Sequence, residues 1–359
     1  MIQIKALAFG MSLKDSSAYN IQFIGSKAVF MDHLSFEMYA EGEPWVAYRQ
    51  FCQHFLAPLA LASLRDIRLT QLLQVYIDGI PLDLAKSLLP FSSKFNFPLL
   101  INLHLHAKKQ QSFADQTIAS NKRKITETGL KGILDNLLSG INKLEFKLPK
   151  TEWGDYYNMT NYSDNAFEIK KEAIESYIKK VSPSNVWDLG GNIGIFSRLA
   201  SSQGIQTVSF DIDPVAVERN YLKAKDDKDS SLLPLLLDLT NPSPAIGWAN
   251  KERESLVTRG PADLAMALAL IHHLAISNNL PFENIASYFS MLCKWLIIEF
   301  VPKEDSQVQR LLSTREDIFP NYNSTHFLQA FATSFELINN LEITGSHRTL
   351  YLMRSKFYS

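Results

Sequence analysis

The sequence predicts an α/β protein, in which a mainly helical N-terminal region precedes a mostly parallel sheet covered on both faces. Three observations carry that expectation. Apolar runs alternate with helix-like segments between residues 185 and 300, the pattern of a parallel sheet with crossover helices. One of those runs, Val186-Trp187-Asp188-Leu189, enters the glycine turn Gly190-Gly191-Asn192-Ile193-Gly194, and the next run ends in Asp211. The tail then changes character: apolar-rich segments at 335–343 and 348–354 flank Gly345-Ser346, as in an antiparallel hairpin.

Bulk properties bound the possibilities. A chain of 359 residues with 46% hydrophobic content accommodates two domains with sizeable cores. A net charge of −1 argues against a general nucleic-acid or membrane-surface binder. No apolar run reaches the ~18 residues that span a bilayer; the stretches 55–64 and 264–276 are short or interrupted by His272 and His273. The start, Met-Ile-Gln-Ile-Lys, lacks the pattern of a signal peptide. Cys52 and Cys293 form neither a disulfide framework nor a zinc spacing, so the expectation is a reducing cytoplasm and no metal site.

Three regions follow in order. Residues 1–106 read as two short strands, 21–24 and 28–31, then helices. Trp45, Tyr48, Cys52, Phe55 and Leu59 recur at three- and four-residue steps behind Pro44, marking one helix face; 61–80 and 82–89 also read as helical. Residues 107–150 are polar and basic, with a helical segment around 130–138, and read as a linker whose lysines form a solvated face or, alternatively, meet a polyanion. Residues 151–359 form the sheet domain. Ser163-Asp164 caps a helix with Phe167, Ile174, Tyr177 and Ile178 on one face, and Pro183 follows it. Strands are expected at 185–187, 207–210, 232–237, 263–268 and 295–300.

The acid before the glycines decides which ligand such a turn suits. Glycines let the backbone approach a ligand, and the following helix N-terminus offers free N–H groups. A dinucleotide site brings a pyrophosphate there and favours G-x-G-x-x-G; Asp188 would repel that pyrophosphate but suits an ammonium and a sulfonium. Together with Asp211, and with Asp238 after Leu235-Leu236-Leu237, residues 151–359 resemble a class I S-adenosylmethionine-dependent methyltransferase. The run 263–274, ending Leu270-Ile271-His272-His273-Leu274, resembles the fourth strand and turn of its small-molecule branch.

That resemblance implies a Rossmann-like, seven-stranded methyltransferase sheet with a C-terminal antiparallel hairpin, and S-adenosyl-L-methionine as cofactor. It implies that Gly190, Gly191, Asn192 and Gly194 form the cofactor turn, with Asp188 near the amino group. Asp211 would take the ribose hydroxyls, with Ile212 beside it, and Asp238 with Leu239 the adenine. Asp238 also reads as a helix cap before Asn241-Pro242, and Asp213 as the cap of the helix entered at Pro214. Tyr156, Tyr157, Asn161 and Tyr162 precede the first helix, where relatives often fold over the cofactor; packing alone explains the tyrosines equally. His273, His272 and Glu299 are the candidate catalytic residues, since ligands of open α/β sheets lie beyond strand C-termini; the histidines equally shape a turn, and Glu299 equally caps one. Asp305, Arg310 and Arg315 read as meeting a polar acceptor or as a solvated helix face. Asn241-Pro242-Ser243-Pro244 is a decoy, because it follows the third strand and lacks an aromatic residue.

The first region resembles a truncated catalytic lobe of aminoglycoside or choline kinase-like phosphotransferases. Asp15-Ser16-Ser17-Ala18-Tyr19-Asn20 has the Asp-x-x-x-x-Asn spacing, Asp32 follows the hairpin, and Gly42-Glu43-Pro44 opens a helix. No glycine-rich loop or strand lysine precedes them. The two halves together resemble methyltransferases of the rhizobial nodulation-protein type, which implies methyl transfer to O or N of a small-molecule or glycan acceptor. Protein or RNA methylation, and a non-catalytic binding protein with a pseudokinase-like first half, are the alternatives.

Overall fold

The computed structural model describes residues 1–105, 124–149, 151 and 164–358. It divides into two compact units, one of Met1–Gln22 and Ala28–Leu148, the other of Phe23–Lys27 and Pro149–Ser359.

In the first unit, β1 (Met11–Leu13) pairs antiparallel with β4 (Phe36–Met38); β2 (Ile21–Ile24) pairs with β3 (Lys27–Phe30), a hairpin whose residues Phe23–Lys27 are grouped with the second unit. The small β1–β4 sheet has too few residues to show a period in sequence. The helical run behind Pro44 begins at Tyr48 and continues to Leu64, with Cys52, Leu56, Ala60 and Leu61 fully buried. Trp45 stays outside it and donates its indole N–H to the Leu13 carbonyl at 2.6 Å. The helix expected over 61–80 breaks at Asp66, whose carboxylate accepts from the Arg68 backbone N–H and pairs with its guanidinium. Aspartate competes with helix hydrogen bonding in this way.

The expected linker is corrected in part. Glu127–Ile141 is an amphipathic helix that buries Leu130, Leu134 and Leu137 in the core of the first unit. Leucines at i, i+4 and i+7 form a stripe that must be covered, so this helix is part of a domain. Lys124 is exposed; Lys108, Lys109, Lys122 and Arg123 lie outside the described residues.

The second unit is built on a seven-stranded sheet. Its strands are β5 (Asn185–Leu189), β6 (Gln206–Asp211), β7 (Leu232–Leu236), β8 (Ala262–Ala267), β9 (Cys293–Phe300), β10 (Phe335–Glu342) and β11 (Thr349–Ser355). Their order is β10-β11-β9-β8-β5-β6-β7. The pairs from β7 to β9 are parallel, while β11 runs antiparallel to both β9 and β10. Pro234 sits in β7, an edge strand, where a missing N–H is tolerated.

Period-two alternation sorts the side chains into two cores. Leu189, Ala265, Ala267, Leu296, Ile298, Tyr351 and Met353 pack with Phe282, Phe289, Phe327 and Phe331 on one face. Val186, Leu264, Met266, Ile297, Leu350 and Leu352 pack with Ile174, Tyr177, Ile178 and Ala200 on the other. Both faces being covered, the strands read as near-continuous apolar runs. Among the described residues no helix is long and apolar enough to cross a membrane, and both cysteines are buried and unpaired.

Candidate active site

Where β5 ends, the chain turns through Gly190 (φ 78°), Asn192 (φ 50°) and Gly194 (φ 77°). The Gly190 and Gly191 N–H groups both donate to the Phe210 carbonyl at 2.9 Å, which ties the turn to the end of β6. A Cβ on Gly191 would strike the Ser209 hydroxyl and the Asp188 carboxylate, and one on Gly194 would strike the Asn220 amide. Both glycines are therefore demanded by close packing, and Gly194 by its backbone angle as well. Arg198 clasps the turn from behind, its Nη1 donating to the carbonyls of Ile193 at 2.8 Å and Gly194 at 2.9 Å.

Two carboxylates converge here. Asp188 is buried and accepts from the Ser197 hydroxyl at 2.6 Å. Asp211 accepts the Asn192 N–H on Oδ2 and the Asp213 N–H on Oδ1, both at 2.8 Å. Each oxygen keeps a further lone pair for a ligand donor. Burial is the main cause that pushes each carboxyl up to about 6; the charge of Asp211 also acts on Asp188, and that of Asp213 on Asp211. Asp213 caps the following helix through the Val215 N–H at 2.8 Å, as its position before Pro214 implied.

A cavity of about 340 Å³ opens over this corner. Asp188, Gly190, Gly191, Asn192, Asp211, Ile212, Asp238 and Leu239 all line it, and so does His273. Gly194 does not line it and acts as the second bend of the turn. Asp238 accepts the Thr240 N–H and hydroxyl on Oδ1, so it closes a turn while facing the cavity. Tyr156, Tyr157, Asn161 and Tyr162 lie outside the described residues.

The catalytic expectations need correction. Glu299 is fully buried and absent from the cavity wall. Its Oε2 accepts from Lys170 Nζ and from the Ala269 N–H, each at 2.7 Å, and its Oε1 lies 3.7 Å from Arg348 Nη1. Arg348 in turn holds Asp305 with Nε at 2.7 Å and Nη2 at 3.1 Å. Asp305 is thus neither an acceptor contact nor part of a solvated face: it caps the helix Ser306–Leu312 from within the charge network. Arg315 donates to the Ile276 carbonyl. His272 is also buried away from the cavity, with Nδ1 unpartnered. Its ring stands 4.1 Å from that of His273. Burial lowers the His273 pKa to about 4; it is neutral near pH 7 and too weakly basic to deprotonate a hydroxyl efficiently.

Lys170 is the residue that sequence reasoning missed. It lines the cavity from the helix Asp164–Val181. Its signal was available: it falls between Phe167 and Ile174 on the apolar stripe, where an unpaired lysine does not belong.

In the first unit, the kinase-like residues are partly assembled. Asn20 Nδ2 donates to the Ser35 hydroxyl at 3.1 Å, which donates to Asp32 Oδ2 at 2.6 Å. Asp15 instead accepts the Ser17 N–H of its own turn. No group of three or more His, Cys, Asp or Glu side chains suited to a metal ion occurs among the described residues.

The sheet order, its closing antiparallel hairpin, and an acid–glycine turn facing a second strand-end acid over one cavity define the Rossmann-like fold of S-adenosylmethionine-dependent methyltransferases. The chain belongs to the family of nodulation protein NoeA. It is 35% identical to that protein from Rhizobium meliloti (strain 1021) over 356 residues, covering 98% of this chain and 75% of the relative. No family model matches. Solved structures with partial likeness include the PH0226 protein from Pyrococcus horikoshii OT3, at 16% identity and TM-score 0.40, covering 56% of this chain and 99% of that one. Magnesium protoporphyrin IX methyltransferase (ChlM) from Synechocystis PCC 6803, solved with bound SAH, is 17% identical with TM-score 0.37, covering 53% and 84%. WbdD is 17% identical with TM-score 0.36, and the chain spans 58% of itself and 43% of WbdD.

Proposed function

We propose that the second unit binds S-adenosylmethionine in this cavity and transfers its methyl group to O or N of a small-molecule or saccharide-like acceptor. The observation that carries the reading is Asp211: both of its oxygens are fixed by backbone N–H groups at the cavity wall, beside a second buried carboxylate. A carboxylate held in this way accepts two neighbouring hydroxyls of a ribose without reorganising. Asp188 faces the amino group, Asp238 and the Leu239 backbone take the adenine, and the exposed Ile212 side chain covers its face. When bound, S-adenosylmethionine supplies a methyl group activated by a sulfonium. The protein's share is alignment and exclusion of water, with neutral His273 offering an orienting hydrogen bond to the acceptor. The acceptor class follows the resemblance read from the sequence, and the relative is named a nodulation protein.

Calorimetric titration with S-adenosylmethionine tests this directly, with a micromolar-range Kd expected; no heat from the intact chain refutes it. The pH dependence gives a second check. Both carboxyls titrate near 6 in the unliganded fold, against an ordinary value of 3.8. Between those values the folded state binds more protons than the unfolded state. The unliganded protein therefore gains stability as pH falls from about 6 to about 4, and loses that gain as pH rises through 6. Affinity for the cationic cofactor runs the other way. It drops below pH 6, by roughly tenfold per unit for each carboxylate that must ionise. Thermal melts and titrations over pH 4.5–8 (a window set by these pKa values) should show the two opposed trends; parallel trends count against the assignment.

A further inference from the structure

We propose that the first unit binds a single aliphatic chain, that of a fatty acid or of an alkylated saccharide, in a second cavity; this does not rest on the cofactor reading of the second unit. The cavity has a volume of about 260 Å³. It lies wholly among residues of the first unit, and among the described residues no Asp, Glu, Lys, Arg or His lines it. All of its lining residues except Met1 are buried or half-buried, so it is a recess in the domain with Met1 at its rim. Close-packed interiors hold few voids larger than a water molecule, and an apolar cavity of about 150 Å³ already takes up benzene.

Its walls suit a slim chain. Trp45, Phe51 and Phe55 contribute a row of rings, with successive centroids 5.6 and 5.4 Å apart. The helix Glu127–Ile141 contributes Leu134, Leu138 and Ile141. Steps of four and three residues keep these on one helix face, and such a stripe rises roughly 10 Å along the axis. A recess bounded by that stripe and that row of rings is longer than one ring, and a flexible methylene chain can follow it.

The polar side chains on the wall are engaged within the protein. The Gln3 amide donates to the Ser12 hydroxyl at 3.1 Å and accepts the Leu13 N–H at 2.7 Å. The Ser16 hydroxyl donates to the Ala47 carbonyl at 2.9 Å, and the Ser17 hydroxyl accepts the Tyr19 N–H at 3.2 Å. The Trp45 indole is committed to Leu13. Water needs several polar partners to settle in such a space, whereas an aliphatic chain needs none. The kinase-like run frames the same recess. Asp15 turns back onto the Ser17 N–H at 2.9 Å, and Asp32 onto the Ser35 hydroxyl. Between them in sequence, Ile21 and Phe30 of the hairpin line the cavity. Segments that resemble a phosphotransfer site thus enclose an apolar one.

Calorimetric titration of the full chain with octanoate, decanoate and dodecanoate, each below its micelle concentration, tests the site. Affinity should rise about fourfold per added methylene until the cavity is full, then level off. Leu138→Phe places a larger side chain in the space. It should weaken decanoate about tenfold, the loss of roughly two methylenes of burial, while the melting temperature holds or rises, as for other cavity-filling changes. If Leu138→Phe fails to fold, Ile141→Phe carries the same comparison. Octyl glucoside, titrated beside octanoate, identifies the source of the chain. Binding of octanoate alone marks a free fatty acid, of the glucoside alone an alkylated saccharide, and of both a site that reads only the chain. Absence of saturable binding by every one of these probes overturns the proposal, and so does a decanoate affinity unchanged in the folded variant.

Discussion

Asp211→Ala should weaken S-adenosylmethionine binding by at least ~100-fold, because two hydrogen bonds to a charged acceptor are lost together. The side chain has two jobs. Outward it faces the cavity; inward it accepts the Asn192 and Asp213 N–H groups at 2.8 Å each. Alanine removes the ligand's acceptor and also the Asn192 tie between the glycine turn and the end of β6, while the Gly190 and Gly191 bonds to the Phe210 carbonyl remain. Asp211→Asn keeps part of each job, since one carbonyl oxygen remains an acceptor while the other position becomes a donor facing a backbone N–H. Its affinity should fall between those of the wild type and Asp211→Ala. Relief of a buried charge offsets part of the lost hydrogen bonding in the unliganded fold, so melting temperature should change far less than affinity. Calorimetry beside a thermal melt reads both. An Asp211→Ala variant that binds within about threefold of wild type would sink the assignment.

Glu299→Ala should destabilise the second unit by about 3–5 kcal/mol, the cost of leaving one partner of a buried ion pair uncompensated. Glu299 is fully buried, and Lys170, Arg348 and the Ala269 N–H all lose their common acceptor at once. Ala269 has φ 50°, a conformation alanine adopts rarely. Its N–H bond to Glu299 is what holds that bend, and Leu268, Ala269 and Leu270 on the cavity wall depend on it. The melting midpoint should fall on the order of 10 °C. Removing Lys170 as well, in Lys170→Met/Glu299→Ala, should recover part of the loss, because no buried charge is then left alone. Denaturant unfolding of the single and double variants measures both terms. A single variant within about 1 kcal/mol of wild type would show that the network contributes little.

These two acids show how far the chain was legible before it was folded. Asp211 announced itself, since an acid closing an apolar run after a glycine turn has a local signature. Its neighbours Asp188, Gly190, Gly191, Asn192 and Ile212 were readable for the same reason, and the cavity gathers them. Glu299 carries an identical local signature, an acid at the end of an apolar strand, yet it turns into the core. The difference comes from Lys170 on one side and Arg348 on the other, and neither is near it in sequence. His272 and His273 are adjacent, yet only His273 reaches the cavity. Which of two neighbours faces the ligand depends on the helical turn that follows β8, and the sequence pattern there is ambiguous.

The helix Glu127–Ile141 teaches the same lesson at the scale of a domain. Its leucine stripe was visible, but its polar surroundings suggested a linker; only the apolar surface it covers makes it part of the first unit. By itself, then, the sequence determined the order of elements, the parallel sheet with its closing hairpin, and the turn residues of the candidate cofactor site. These depend on periodicity, glycine and strand-end chemistry, all of which act over a few residues. The tertiary structure alone decided which charges are spent on one another and which face the cavity. Lys170 and Glu299 are 129 residues apart, and the pairing of buried charges is set by distance in space, on which local patterns are silent.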